Sequence, residues 1–106
     1  MMKEIVWLGS SYKDLLKFPK AAKQQAGYNL DKIQRGLEPS DWKPMTSIGI
    51  GVREIRIHSD GEYRIIYLNQ YIDTIYVLHC FRKKSQKTSK KDIALASKRL
   101  REVDKK

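Results

Sequence analysis

The chain has 106 residues, with 22 Lys and Arg against 12 Asp and Glu, a formal net charge of +10, 41% apolar residues and one cysteine. That length supports a single core, hence one domain over residues 1–106, and the apolar share is too high for a disordered polycation. No run approaches the roughly 20 apolar residues of a membrane helix, the first ten residues lack the basic-then-apolar order of a secretion signal, and Cys80 with two histidines offers neither a disulfide framework nor a zinc ligand set. The expectation is a cytoplasmic protein with no metal, no cofactor and no membrane attachment. The surplus positive charge points to a polyanion such as nucleic acid, or to an acidic protein partner; a surface tuned only for solubility is the other account.

Residues 5–8 form a short apolar run closed by Gly9-Ser10, which reads as a first or edge strand. Ser11 and Asp14 open a short helix through Leu15 and Leu16 that Pro19 interrupts. Pro19 fits the first position of a second helix, where Ala22, Ala26, Leu30, Ile33 and Leu37 recur at spacings of three and four and Gly36 marks the end. Residues 38–51 carry prolines, glycines and small polar residues and read as a loop. The period then becomes two over residues 52–58, 62–68 and 74–82, three strands of an antiparallel meander separated by Ser59-Asp60-Gly61 and by residues 69–73. A last helix over residues 89–103 puts Ile93, Ala96, Leu100 and Val103 on one face. The order is β, α, α, β, β, β, α: an α+β fold with two N-terminal helices on a small antiparallel sheet, a C-terminal helix and a frayed basic tail.

A three-residue loop at 59–61 pairs His58 with Glu62, so that Arg56 faces Arg64 and Glu54 faces Ile66. A five-residue loop at 69–73 pairs Leu68 with Thr74, which sets Arg64 opposite Leu78 and carries Arg82 beyond the same face. The other face then holds Ile55, Ile57, Tyr63, Ile65, Tyr67, Ile75, Val77, His79 and Phe81 and is the one the helices cover. Opposed arginines repel. Either an anion lies between them, or their stems lie along the sheet with the charges in water. Glu54, on their face, either accepts a proton from a sugar hydroxyl or neutralises Arg56 as a surface ion pair.

The run from Arg82 to Lys91 brings Arg82, Lys83, Lys84, Lys87 and Lys90 to the rim of this face, as a phosphate-binding edge or as a solvated basic loop. Neighbouring cations would ease proton loss from Lys84, making it a candidate proton donor. His58 lies at a hairpin end on the charged face. His79 falls on the apolar side as a core histidine. Trp42 either stacks on a base or plugs the edge of the core, and Cys80 reads as a small filler.

The stretch Gln34-Arg35-Gly36-Leu37-Glu38-Pro39-Ser40-Asp41-Trp42-Lys43-Pro44-Met45, then Gly51-Val52-Arg53-Glu54-Ile55-Arg56, Tyr63-Arg64-Ile65-Ile66-Tyr67 and His79-Cys80-Phe81-Arg82-Lys83-Lys84-Ser85-Gln86-Lys87-Thr88, resembles the phage-derived HigB-like branch of the RelE/ParE toxins over nearly the whole chain. The resemblance implies a RelE-like fold and a type II toxin with a cognate antitoxin. RelE-, YoeB- and HigB-like members cleave messenger RNA on the ribosome, whereas ParE-like members poison DNA gyrase. On the RNA-cleaving side it implies a metal-independent endoribonuclease with Glu54 as base, Arg56 and Arg64 on the phosphate, Lys84 as acid, and Arg82, Lys83, Lys87 and Lys90 on the RNA. Relatives often carry an aromatic or histidine near the C-terminus, which residues 101–106 lack, so Lys87 and Lys90 stand as rivals to Lys84. The gyrase-inhibitor alternative has no chemical need for Glu54, Arg56, Arg64 and Lys84.

Overall fold

The computed structural model describes residues 2–103; the last three residues of the expected frayed tail lie outside them. Strand β1 (Glu4–Trp7) leads into α1 (Ser11–Leu16) and α2 (Lys20–Gln34), followed by β2 (Trp42–Pro44), β3 (Val52–His58), β4 (Glu62–Leu68), β5 (Thr74–Arg82) and α3 (Lys90–Val103). The sheet order is β1-β5-β4-β3-β2. The meander is antiparallel as expected, but β1 runs parallel to β5, so the sheet is mixed.

Helix α2 ends where the glycine signal predicts. Gly36 takes a left-handed φ of 82°, which a side chain would oppose, and lets the amides of Gly36 and Leu37 reach back to the Ile33 and Lys32 carbonyls. The segment after it is not all loop, because β2 pairs with β3, Trp42 with Ile55 and Lys43 with Glu54. Its prolines and glycines hid a strand of only three residues. A short outer strand ending in Pro44 is a form that tolerates proline and resists edge pairing.

One face of the sheet is covered by α1 and α2. Leu15, Phe18, Ala22, Ala26, Leu30 and Ile33 pack there against Ile55, Ile57, Tyr63, Ile65, Tyr67, Ile75, Val77 and Cys80. The other face has a second core, where Ala96 and Val103 of α3 meet Val52, Ile66, Leu68, Leu78 and Phe81. Strand β4 is therefore enclosed on both sides along most of its length. Each fully enclosed Ile, Leu or Val is worth about 2 kcal/mol of apolar burial.

The hairpin at 59–61 has the expected register, with His58 opposite Glu62, Arg56 opposite Arg64 and Glu54 opposite Ile66. Asp60 takes a φ of 52°, which aspartate tolerates better than most residues, and the Ser59 amide donates to the Gly61 carbonyl at 3.0 Å. The pairing of β4 with β5 differs from expectation in two ways. Leu68 pairs with Tyr76 rather than Thr74, a shift of two that keeps the faces unchanged. A bulge then follows: Tyr67 pairs with Val77 but Ile66 pairs with His79, so Leu78 is the extra residue. One extra residue reverses every later side chain. His79 and Phe81 consequently lie on the α3 face, Cys80 joins the α1/α2 core, and Arg64 faces Phe81 instead of Leu78. Arg82 pairs with Tyr63 and lies on the opposite face from Arg64, its guanidinium 5.9 Å from the Tyr63 ring.

Candidate functional site

Helix α3 covers only part of its face. Val52, Ile66 and Leu68 are beneath it, while Arg56, His58, Glu62 and Arg64 occupy the uncovered end, and Glu54 stands at the boundary. The alternation of β3 makes this boundary, because Val52, Glu54, Arg56 and His58 all point one way and grow more polar toward the hairpin.

Glu54 has no exposed surface, and Arg64 is 4% exposed. Arg64 donates through one terminal nitrogen to the Tyr63 carbonyl at 2.9 Å and through the other to Glu62 Oε1 at 3.0 Å. Its Nε lies 3.7 Å from Glu54 Oε1, and Lys43 Nζ approaches the same oxygen at 3.9 Å. Both are charge contacts without hydrogen-bond geometry, so Glu54 Oε1 and Arg64 Nε are buried with no hydrogen-bond partner among the described residues. Glu54 Oε2 accepts from Thr88 Oγ1 at 3.0 Å. A buried acceptor and donor left unpaired side by side are costly for a fold that has no use for them.

Beside them Glu62, Arg64, Lys83, Lys84, Ser85 and Gln86 line a cleft of about 520 Å³. Lys83 is half-buried and Lys84 exposed. Partial burial, with the Arg64 and Lys43 charges nearby, lowers the Lys83 pKa from its ordinary value, against the opposing pull of Glu54 and Glu62. Strand alternation explains the difference: Arg82 turns toward Tyr63, so the next residue points to the Arg64 side, and the Lys83 amide donates to the Glu62 carbonyl at 2.7 Å. Lys87 and Lys90 are exposed.

Arg56 is engaged elsewhere. Its Nε and a terminal nitrogen both donate to Asp41 Oδ1, at 3.0 and 2.8 Å. His58 bridges the two acidic groups of the rim, with Nε2 2.8 Å from Asp41 Oδ2 and Nδ1 2.8 Å from Glu62 Oε2. A line of alternating charge thus runs Arg56, Asp41, His58, Glu62, Arg64, Glu54. Of the residues expected at the site, Glu54, Arg64, Lys83 and Lys84 come together, Arg56 is held to one side by Asp41, and Arg82 faces away. Lys43, Asp41, Glu62 and Thr88 are additions that sequence reasoning passed over. Lys43 and Asp41 were hidden in the segment read as loop. Glu62 was legible from its pairing with His58, and Thr88 carried no signal.

Trp42 is half-buried on the outer strand β2, and the Arg53 guanidinium lies 4.1 Å from its ring centroid. His79 is buried, stacks on Phe81 and pairs through Nε2 with Asp92 Oδ1 at 2.7 Å, which ties β5 to the start of α3. Burial pushes the Cys80 thiol well above its ordinary value, which leaves it inert. Among the described residues no three His, Cys, Asp or Glu side chains converge as a metal site would need, and no helix is long and apolar enough to cross a membrane.

The rim makes stability depend on pH. The hydrogen bonds to Glu62 and Asp41 raise His58 above its ordinary 6.5, so its contribution is complete below that value and is lost as pH rises through the raised one. The His58 bond, aided by Arg56 for Asp41 and Arg64 for Glu62, lowers both carboxyls, whose contributions are present above their ordinary values and fade as pH falls through the lowered ones. These groups are solvent-facing and the effect is small. Thermal melts of the parent should decline from pH 6 toward pH 9 with a component that His58→Gln removes; an identical slope in both proteins would contradict the bridge.

The fold has relatives. The chain superposes on a free-state arginine mutant of the Escherichia coli toxin RelE with a TM-score of 0.65 at 12% identity, covering 97% of this chain and 99% of that one. It superposes on the toxin–antitoxin complex RelBE2 from Mycobacterium tuberculosis with a TM-score of 0.54 at 18% identity, covering 78% of this chain and 100% of the matched one. The architecture is therefore RelE-like. No curated protein is a significant match. Residues 13–101 match the model of the phage-derived Gp49-like proteins, a span that holds α2, the whole meander and every residue of the cleft, and the chain belongs to that family.

Proposed function

We propose that the protein is the toxin of a type II toxin–antitoxin pair and cleaves messenger RNA at the ribosome. The observation that carries the reading is the unpaired couple of Glu54 Oε1 and Arg64 Nε beside a lysine-lined cleft. The acceptor suits a ribose 2′-hydroxyl and the donor a phosphate oxygen. The net charge of +10 suits a polyanion. The RelE-like architecture, and a matched structure that is itself a toxin–antitoxin complex, support a cognate antitoxin as partner.

Glu54 takes the 2′-hydroxyl proton as the 2′-oxygen attacks the adjacent phosphorus. Arg64 stabilises the charge that accumulates on the phosphoryl oxygens, with Arg56, its partner across the strand pair, on the neighbouring phosphate. Lys83, the half-buried lysine at the cleft, gives a proton to the departing 5′-oxygen, with Lys84 on the RNA beside it. The products are a 2′,3′-cyclic phosphate and a 5′-hydroxyl, and side chains alone carry the route. Because Glu54 is fully covered in the free protein, the substrate must uncover it. A phosphate that draws the Arg64 and Lys83 charges outward does so, as catalytic hydrogen bonds commonly form only in the substrate complex.

Purified protein added to ribosomes translating a defined messenger should produce new 5′-hydroxyl and 2′,3′-cyclic phosphate ends within the reading frame. Intact messenger together with accumulating DNA breaks in cells expressing the protein would replace this reading with gyrase inhibition.

A further inference from the structure

We propose that Thr88 is a positioning residue that aims the Glu54 carboxylate, fixing Oε2 so that Oε1 is presented to the substrate. The inference rests on the reading of Glu54 as the base. A buried carboxylate has about four lone-pair directions to satisfy, yet among the described residues Glu54 has a single hydrogen bond, from Thr88 Oγ1 to Oε2 at 3.0 Å. Arg64 at 3.7 Å and Lys43 at 3.9 Å attract the charge of Oε1 but do not hold the plane of the carboxylate. Among the described residues Thr88 supplies the hydrogen bond that sets its rotation about the last side-chain bond, a torsion with broad intrinsic preference.

Thr88 is itself well placed for this. The next residue, Ser89, accepts from the Asp92 amide at 3.1 Å and donates to Asp92 Oδ2 at 2.6 Å, closing the first turn of α3. Asp92 is in turn held by His79 at 2.7 Å. The backbone at Thr88 is thus anchored through the helix start to β5, while residues 83–86 of the same loop line the cleft. The Thr88 hydroxyl joins the base on β3 to the far end of the loop that carries the lysines, while Lys83 itself is held to β4 by its amide hydrogen bond to the Glu62 carbonyl. Thr88 is half-buried behind Glu54 and is not among the residues lining the cleft.

The test compares Thr88→Val, which keeps shape and loses the donor, with Thr88→Ser, which keeps the donor, using messenger cleavage on translating ribosomes. Thr88→Val should lower kcat roughly tenfold to a hundredfold with KM unchanged. Thr88→Ser should restore kcat. Thr88→Ala, compared with the Ser variant, gives the same contrast should the valine variant fail to fold. A parent-like kcat in the valine variant, or a loss confined to KM, would overturn the inference. So would a rise in kcat, which would make the contact a latch over the base, or a Ser variant as weak as Val, which would make the threonine methyl the cause. Glu54→Gln runs alongside. If the parent cleaves nothing, or Glu54→Gln cleaves as well as the parent, the assignment of the base has failed; if that variant is dead and Thr88→Val is normal, only the role of Thr88 has.

Discussion

Glu54→Gln is expected to lower messenger cleavage by about 10²- to 10⁴-fold, the range by which a positioned general base accelerates proton transfer. The substitution is nearly isosteric. Its amide oxygen can still accept from Thr88, which now donates to Glu54 Oε2 at 3.0 Å, so the β3–loop connection survives. What disappears is the negative charge between Arg64 and Lys43, and with it the carboxylate that lies 3.7 Å from Arg64 Nε. Arg64 keeps its bonds to the Tyr63 carbonyl and to Glu62, so the phosphate ligand stays in place and KM should change little. Single-turnover cleavage on ribosomes programmed with one messenger separates the two quantities. A variant with unimpaired single-turnover rate would remove Glu54 from the chemistry and turn attention to Glu62, the acidic residue that lines the cleft.

The parts of the site set by the first hairpin were legible in the sequence, because a three-residue turn fixes register and register fixes faces. The opposition of Arg56 and Arg64, and the placement of Glu54 and His58 beside them, follow from Ser59-Asp60-Gly61 alone. Beyond β4 the same logic fails for a physical reason. A bulge at Leu78 adds one residue to β5, and alternation of Val, Ile and Tyr types cannot reveal it when both faces of the strand are buried. His79, Phe81 and Arg82 were assigned to the wrong faces as a result, and with Arg82 reversed it is Lys83 that reaches the Arg64 side. The second core was hidden for a related reason. A charged end and an apolar end share one face of β3, and the Glu54, Arg56 and His58 end suggested that all of it was open. Helix α3 closes the apolar end, and this enclosure is why Glu54 is buried instead of forming the surface ion pair with Arg56 that its spacing suggested.

Arg99→Ala should be the most destabilising single change outside the apolar cores, by about 3 kcal/mol, lowering Tm by roughly 15 °C for a domain of this size. Arg99 follows Ala96 by three residues and precedes Val103 by four, on the buried side of α3, and is 7% exposed. One terminal nitrogen donates to the carbonyl of Leu78 at 2.9 Å and the other to Ser10 Oγ at 3.0 Å. Leu78 is the bulge residue, and the guanidinium supplies a donor to its carbonyl at the point where the ladder is broken. Lysine, a point donor on a flexible stem, should not rescue, since it cannot span both acceptors as the planar fork does. Gly9 supplies an independent check. It has a φ of +53°, and a Cβ there would lie 2.5 Å from Arg99 Nε. The guanidinium can retreat only by giving up its two bonds. Gly9→Ala therefore carries both backbone strain of about 1–2 kcal/mol and the displacement of Arg99. In an Arg99→Ala background only the strain remains, so the double variant should be less destabilised than the sum of the singles by about 2 kcal/mol. Strictly additive losses in denaturant melts would mean that Arg99 does not occupy the space over Gly9, and that the bulge is supported by something other than this arginine.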